Sequence, residues 1–231
     1  MSFEIPPYPR TLHLGDSGGG RPGATPWSAL TGRTLAVEEK IDGQHVGLGF
    51  SSEGELVVFS RKSPVGDDPA FRPLLAQLRP HLDALFDALG GRYVLYGEWA
   101  RLVHTVRYDA LPSWFLEDDI FDRERQGFLD TPSRDALRGA LPAPLRAAVP
   151  VLARRVFADP PALRELLGPS RFRSPALPGQ ASEGLYVKVE EEGLVRGRYK
   201  WVRADFLAAI AASGQHWRQG IPTENGLRRP E

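Results

Sequence analysis

The sequence contains no cysteine and only one methionine among its 231 residues. Without cysteine it can form neither disulfides nor thiolate metal sites, and a cysteine nucleophile is excluded. Its histidines are His13, His45, His81, His104 and His216. They show no paired ligand spacing with one another, so we do not expect a structural zinc site.

The formal net charge of the chain is zero, because 29 basic residues balance 29 acidic ones. No overall field draws the protein to nucleic acid or to an anionic membrane, so any polyanion site must be a local basic patch. No apolar run is long enough to cross a bilayer, and the N-terminus lacks the charged and apolar regions of a signal peptide. We therefore expect a cytoplasmic protein without a membrane partner.

Apolar side chains make up 42% of the residues, which is enough to bury one sizeable core. We expect a single domain over residues 1–231. Residues 1–33 are rich in glycine and proline and have no hydrophobic period, which predicts an irregular N-terminal arm. Residues 213–231 are predicted to form a polar C-terminal tail.

Short β-prone runs alternate with turn signals from residue 35 onward, which predicts antiparallel β-structure. The predicted strands cover residues 35–39, 46–50, 56–61, 92–99, 184–190 and 195–202. Another apolar run, residues 114–121, precedes a hairpin turn and the pair Phe128-Leu129. Residues 149–157 suit a strand or a helix equally well.

Helical spacing of leucine and phenylalanine predicts a helix over residues 71–89, which Pro80 should kink or split. Shorter helices are predicted after Thr131 and Asp159, and from residue 205 to about 212. A basic loop rich in proline and serine covers residues 168–182. Together with the strands, these segments predict the α+β class.

One tetrapeptide, Lys40-Ile41-Asp42-Gly43, places a lysine where the first of these strands meets a turn. That is the layout of a lysine that accepts a nucleotide, although the pattern Lys-x-Asp-Gly alone would occur by chance in roughly one chain of this size in twenty. The pattern gains weight from four further polar clusters at predicted strand ends. These clusters are Ser60-Arg61-Lys62, Gly97-Glu98, Glu183 to Lys188, and Arg198-Tyr199-Lys200.

In this order and rough spacing, the five clusters resemble the motifs of the covalent nucleotidyltransferases, the superfamily of ATP-dependent ligases and mRNA capping enzymes. Residues 104–112 and 114–122 resemble a region particular to ATP-dependent RNA ligases of the phage and bacterial type. Residues 198–203 and the closing pair His216-Trp217 are similar to short bacterial members. The resemblance spans residues 35–217 and implies an ATP-grasp-like ligase adenylation domain, with antiparallel sheets flanked by helices and the ATP pocket between the sheets.

The resemblance implies a reaction in which Lys40 attacks the α-phosphate of ATP, expels pyrophosphate and retains AMP as a phosphoramidate. Lys188 and Lys200 would contact the α-phosphate, and Glu98 would bind the ribose hydroxyls. Glu183 would help to hold Mg²⁺ or Mn²⁺. The remaining nucleotide-binding positions that the motifs imply are Glu39, Ile41, Asp42, Gly43, Arg61 and Arg198.

A lysine amine attacks only when it is neutral, which is rare at neutral pH because its usual pKa is about 10.4. Glu38 and Glu39 would favour the charged form of Lys40 if they faced it. A lowered pKa therefore requires nearby positive charge. The groups expected to supply it are Lys188, Lys200 and Arg198, together with a divalent ion.

For the ring that stacks on adenine, Phe115 is the first choice and Phe121 the competing one. Three positions depart from the family pattern. Asp118 stands where an aromatic residue usually precedes the Asp-Ile pair, His45 stands where phage enzymes often have asparagine, and Arg198 replaces a common lysine. We expect these departures to alter nucleotide contacts or metal handling and to leave the class unchanged.

The expected function is ATP-dependent joining of RNA 3′-hydroxyl and 5′-phosphate ends. An ATP-dependent DNA ligase and a capping guanylyltransferase are alternatives, but both families normally append an OB-fold, for which the 28 residues after Arg203 are too few. A non-catalytic nucleotide- or RNA-binding relative is a third, although binding alone would not require Lys40. Whether the domain seals strands without a partner, and whether an end-healing enzyme accompanies it, stay open at the level of sequence.

Overall fold

A computed structural model of the chain describes residues 5–6, 8–15, 17–20, 22–61, 63–174, 177, 181–213 and 222–228. Three residues of the sequence motifs, Lys62, His216 and Trp217, lie outside this part of the chain. None of the helices in the described part is both long and apolar enough to cross a membrane.

The described strands form one ten-stranded sheet. The strands are β1 (Leu12–His13), β2 (Leu35–Lys40), β3 (Gln44–Phe50), β4 (Leu56–Ser60), β5 (Tyr93–Trp99), β6 (Phe115–Asp122), β7 (Gly127–Leu129), β8 (Val151–Arg155), β9 (Gly184–Glu191) and β10 (Leu194–Val202). Their order is β4-β3-β5-β6-β7-β10-β9-β2-β8, and β1 pairs with β10. The β1 pairing is parallel and the other ladders are antiparallel, which confirms a mixed fold with an antiparallel sheet.

The sheet is continuous where separate sheets were expected, because the short strand β7 pairs with both β6 and β10. One half of the sheet contains β3, β5 and β6, and the other contains β2, β9 and β10. Side chains from both halves line a single cavity. The sheet therefore folds around this cavity. The cavity lies between two halves of one sheet, whereas the sequence predicted a pocket between two separate sheets.

The helices lie where their sequence signals predict them. They are α1 (Arg72–Leu78), α2 (Leu82–Leu89), α3 (Thr131–Arg138), α4 (Pro160–Arg164) and α5 (Ala204–Ser213). A 3-10 turn over Arg79–His81 separates α1 from α2, as expected of Pro80, which lacks the N–H that a continuous helix needs. The side chains of Asp130 and Asp159 cap α3 and α4 by accepting the N–H groups of Ser133 and Ala162.

Helices α1 and α2 cover the part of the sheet built from β3 and β5. Leu74, Leu78 and Leu85 pack against Leu48, Leu95 and other apolar side chains in the largest core cluster. A second cluster, around Val37, Val187 and Phe157, lies under β2 and β9. The ambiguous segment 149–157 contains strand β8, which pairs with β2 and so supplies partners to backbone groups that would otherwise be exposed at an edge.

The N-terminal arm is more ordered than its composition predicts. Strand β1 and Leu14, which is buried, dock this segment beside β10. Part of the predicted tail also packs against the domain. Asn225 is buried, and its amide donates to the carbonyl oxygen of Ala100 at 2.8 Å while its side-chain oxygen accepts the N–H of Tyr108 at 2.8 Å.

Candidate active site

A cavity of about 550 Å³ brings together most of the sequence clusters. Residues from the arm, β2, β3, β5, β6, β9 and β10 contribute to its wall. Of the predicted site residues, those that line it are Glu39, Lys40, Ile41, Arg61, Glu98 and Lys200. Glu183 is joined to the cavity through its contact with Lys40.

Lys40 ends strand β2, where its backbone pairs with Gly184 of β9. Its ammonium donates to Oε2 of Glu183 at 2.8 Å, and the side chain of Lys40 is 23% exposed. Burial favours the neutral amine, but the carboxylates of Glu183, Glu98 and Asp42 outweigh it, so the pKa of Lys40 is raised. The expectation that cations, including a divalent ion, would lower this pKa stays a prediction.

Glu98 faces Lys40 from the opposite half of the sheet. Across β3 and β5 it pairs with His45, which also lines the cavity. Burial raises the pKa of Glu98 to about 8, an effect that Lys40 opposes and Glu183 reinforces. Its Oε2 atom is buried and has no hydrogen-bond partner among the described residues. A buried oxygen without a partner usually marks a place where a ligand or water binds.

The turn after Lys40 positions the site through its backbone. Asp42 accepts the N–H groups of Thr105 and Val106 at 2.7 and 2.8 Å, which ties the turn to the segment before β6. A Cβ atom on Gly43 would lie 3.2 Å from Oε2 of Glu98 and 3.1 Å from the carbonyl oxygen of Trp99. Asp42 and Gly43 thus hold Lys40 next to Glu98, and in this structure neither of them lines the cavity.

A β-bulge in β6 places two consecutive carboxylates on the cavity side of the sheet. Tyr96 pairs with Asp119 and Gly97 pairs with Glu117, so Asp118 is the extra residue between them. Asp118 lines the cavity, with its Oδ2 atom 3.9 Å from Nε2 of His45. Asp118 also has an unpartnered oxygen, Oδ1, and burial raises its pKa well above the usual range.

Asp119 lies beside the cavity in a buried network of charges. Lys188 is fully buried and forms ion pairs with Glu38 at 2.8 Å and with Asp119 at 3.0 Å. The guanidinium of Arg198 lies 3.4 Å from Asp119. Burial opposes the ionisation of Asp119, but Lys188 and Arg198 outweigh it and lower its pKa to about 2. Lys188 and Arg198 do not line the cavity, in contrast to the phosphate contacts predicted for them.

The RNA ligase family profile matches residues 33–202, which is most of the chain and includes Lys40, Glu98, Glu183 and Lys200. The chain belongs to the RNA ligase family. The match ends before the tail, and the arm lies ahead of it, so both segments are outside the part that defines membership. A search of curated protein sequences finds no match to this chain.

Solved RNA ligase structures share the fold of this family member. A Naegleria gruberi RNA ligase variant with ATP and Mn superposes with a TM-score of 0.60 at 16% identity, over 80% of this chain and 53% of that one. The same enzyme with pyrophosphate gives 0.58 at 18% identity, over 80% and 53%. An apo variant gives 0.59 at 14% identity, over 89% and 59%. This RNA ligase family member therefore spans about half the length of those proteins.

Neither phenylalanine predicted to stack on adenine lines the cavity. Phe115 is fully buried in the largest core cluster, on the face that packs against α1 and α2. Phe121 packs edge-to-face on Phe128 with 5.1 Å between ring centroids. The bulge in β6 separates Phe115 from the cavity face, a feature that no sequence period reveals.

Four rings that were not predicted as site residues line the cavity: Tyr8, His13, His45 and Tyr186. Tyr8 and Tyr186 share a hydrogen bond of 2.6 Å between their hydroxyl oxygens. Burial lowers the pKa of His45 to about 3, so its ring is neutral. Tyr186 could have been found, because it lies two residues before Lys188 on the same strand, whereas the irregular arm offered no signal for Tyr8.

The donor set near Lys40 fits a divalent cation held jointly with phosphate. Within the described residues, no group of three or more histidine, aspartate or glutamate side chains could hold a metal by itself. Mg²⁺ commonly takes only one or two carboxylates and completes its shell with water and substrate phosphates. Glu183, whose Oε2 atom lies 2.8 Å from the ammonium of Lys40, offers such an oxygen ligand.

Proposed function

We propose that the chain is an ATP-dependent RNA ligase that forms a lysyl-AMP intermediate on Lys40 and joins RNA 3′-hydroxyl and 5′-phosphate ends. The observation that carries this proposal is the position of Lys40, which lines a cavity together with the half-buried Glu98 and whose ammonium pairs with the buried Glu183 at 2.8 Å. Membership of the RNA ligase family supports it. The RNA ligase solved with ATP and Mn shares the fold, which favours ATP with Mg²⁺ or Mn²⁺ for this chain as well.

In the first step, the Nζ atom of Lys40 forms a bond to the α-phosphorus of ATP while the bond from phosphorus to the bridging oxygen breaks and pyrophosphate leaves. Nζ must first lose a proton. The positive charge of Arg61 and Lys200 in the same cavity would favour release of this proton to water. A bound divalent cation would supply Lewis-acid stabilisation of the phosphate charge.

Arg61 and Lys200 are the predicted phosphate-binding residues that reach the cavity. Their positive charge would attract the triphosphate and stabilise the leaving group. Glu98 would bind the ribose through its unpartnered oxygen, as the resemblance implies. We also propose that residues 1–231 form one adenylation domain that acts in the cytoplasm. An enzyme that heals broken ends to 3′-hydroxyl and 5′-phosphate would act before it.

The test is incubation with Mg²⁺ and ATP labelled on its α-phosphate, followed by a denaturing gel. The chain has only four lysines, so variants can assign the label cleanly. We expect label on the unaltered chain and on the control Lys62→Ala, and no label on Lys40→Ala or Lys40→Arg. Release of the label as ATP by added pyrophosphate would confirm a reversible lysyl adenylate.

Absence of label on the unaltered chain from both ATP and GTP, with pyrophosphate removed, would rule out the ligase and favour a non-catalytic nucleotide- or RNA-binding relative. A labelled chain is then given 5′-phosphorylated RNA or DNA of the same sequence. Preferential joining of DNA would replace the RNA ligase assignment with an ATP-dependent DNA ligase.

A further inference from the structure

The N-terminal arm is fixed against the cavity at two points. On one side, the hydroxyl of Tyr8 donates to Oδ2 of Asp119 at 2.5 Å, and the guanidinium of Arg198 lies over the Tyr8 ring at 4.5 Å. On the other side, β1 pairs with β10, and the N–H of Leu14 donates to the carbonyl oxygen of Lys200 at 3.0 Å. The residues between these points are therefore held in one place.

Arg10 lies between the two anchors. It is exposed, it lines the cavity together with Lys40, and it forms no hydrogen bond or ion pair with any described residue. Several other surface arginines pair with carboxylates, for example Arg33 with Glu191 at 2.8 Å. Arg10 is thus a charged donor that the fold holds at the cavity and that has no partner in the described part of the chain.

The distribution of charged groups on the cavity wall favours one orientation of a bound nucleotide. The buried wall carries carboxylates with unpartnered oxygens, on Glu39, Glu98 and Asp118. Exposed positive charge comes from Arg10 and Arg61. Most of the negative charge of ATP lies on its β- and γ-phosphates, which the two guanidinium groups attract.

We propose that Arg10 binds the β- and γ-phosphates of ATP and the pyrophosphate that leaves. This inference rests on the proposed function and assigns a role to a segment outside the family match at residues 33–202. As the bond between the α-phosphorus and the bridging oxygen breaks, its electron pair stays on pyrophosphate. Arg10 donates hydrogen bonds to that charge and keeps its own proton, since a guanidinium does not deprotonate in proteins.

Binding is measured first, in a Lys40→Ala background that cannot form the adenylate. Calorimetry compares ATP, AMP and pyrophosphate for three further changes: Arg10→Ala, Arg10→Lys and the control Arg72→Ala. Arg72 is exposed at the start of α1 and does not line the cavity. The Arg72→Ala change therefore removes one positive charge at a place away from the cavity. We expect Arg10→Ala to weaken the binding of ATP and pyrophosphate roughly tenfold or more and to leave the binding of AMP unchanged. Arg10→Lys should recover part of the loss.

Activity is measured second, with Lys40 intact. We expect Arg10→Ala to raise the ATP concentration needed for labelling and to slow the reverse reaction, in which pyrophosphate attacks the lysyl adenylate and re-forms ATP. It should leave unchanged the joining of RNA that already carries a 5′-adenylate, because that reaction involves no pyrophosphate.

Two results would overturn the inference. One is equal behaviour of Arg10→Ala and Arg72→Ala toward ATP and pyrophosphate. The other is that Arg10→Ala weakens AMP binding, or the joining of 5′-adenylated RNA, as much as it weakens ATP binding. That result would mean that Arg10 only supports the arm. Failure of the proposed function is distinct, because then even the unaltered chain would take no label from ATP.

Discussion

Lys40 and Lys188 illustrate how the surroundings of a lysine decide its role. Lys40 has a carboxylate partner, Glu183, and part of its side chain reaches the cavity. Lys188 has no exposed surface, and its ammonium donates to the carbonyl oxygen of Asp118 while pairing with Glu38 and Asp119. The first can meet a nucleotide directly, whereas the second holds β2, β6 and β9 together.

Replacing Lys188 by methionine should lower the free energy of unfolding by about 3–5 kcal/mol, because it leaves buried carboxylates without their shared cation. The matched change Lys200→Met, on the neighbouring strand, should cost much less, since Lys200 is only half-buried. Denaturant unfolding of both variants measures the difference.

Equal stability of the Lys188→Met and Lys200→Met variants would contradict a structural role for Lys188. Both lysines occupy strands that pair with each other, and their clusters are equally polar in sequence. Sequence reasoning therefore assigned both to the α-phosphate. Only the packing of Glu38 and Asp119 around Lys188 separates them, and that packing depends on strands distant in the chain.

At the scale of elements, the contact between β9 and β10 controls the position of Glu183. Gly184 follows Glu183 and pairs with both Val202 and Lys40. A Cβ atom at Gly184 would lie 2.1 Å from the carbonyl oxygen of Trp201, a distance that forces backbone to move. A side chain here would therefore separate the two strands and shift the carboxylate that holds Lys40.

We expect Gly184→Ala to lower the free energy of unfolding by about 1–3 kcal/mol and to slow labelling of Lys40 by ATP. Gly91→Ala is the control, because a Cβ atom there meets nothing within 4 Å. Thermal unfolding and the rate of labelling measure the two effects. If Gly184→Ala matched Gly91→Ala in both, the close approach of β10 would have no influence on Glu183.

The elements themselves were predictable, since periodicity and turn residues are local signals. The expected strand at residues 184–190 is Gly184–Glu191, and the expected break at Pro80 separates α1 from α2. The bulge at Asp118 was not predictable, because it depends on how β6 pairs with β5. The assignment of Phe115 to adenine was wrong for this reason.

At the scale of the whole molecule, the balanced net charge and the concave site imply that the two proposed substrates, ATP and RNA, bind through different kinds of electrostatic interaction. ATP would enter a cavity where buried carboxylates and exposed guanidinium groups act over short distances. RNA would meet a surface without net charge, so its binding would rest on a limited set of local phosphate contacts. The charge balance follows directly from the composition, whereas the fold of the sheet that gathers Lys40, Glu98 and Arg61 in one cavity does not.

Salt should therefore separate the two half-reactions. At saturating ATP, labelling of Lys40 should change less than about twofold between 50 and 200 mM salt, because the reacting groups lie in the cavity and long-range screening affects them little. Joining of adenylated RNA should fall roughly tenfold to a hundredfold over the same range, since each phosphate contact releases counterions on binding. Gel assays of labelled protein and of labelled RNA give both rates, and joining that stays constant with salt would mean that base stacking, rather than phosphate contact, holds the RNA.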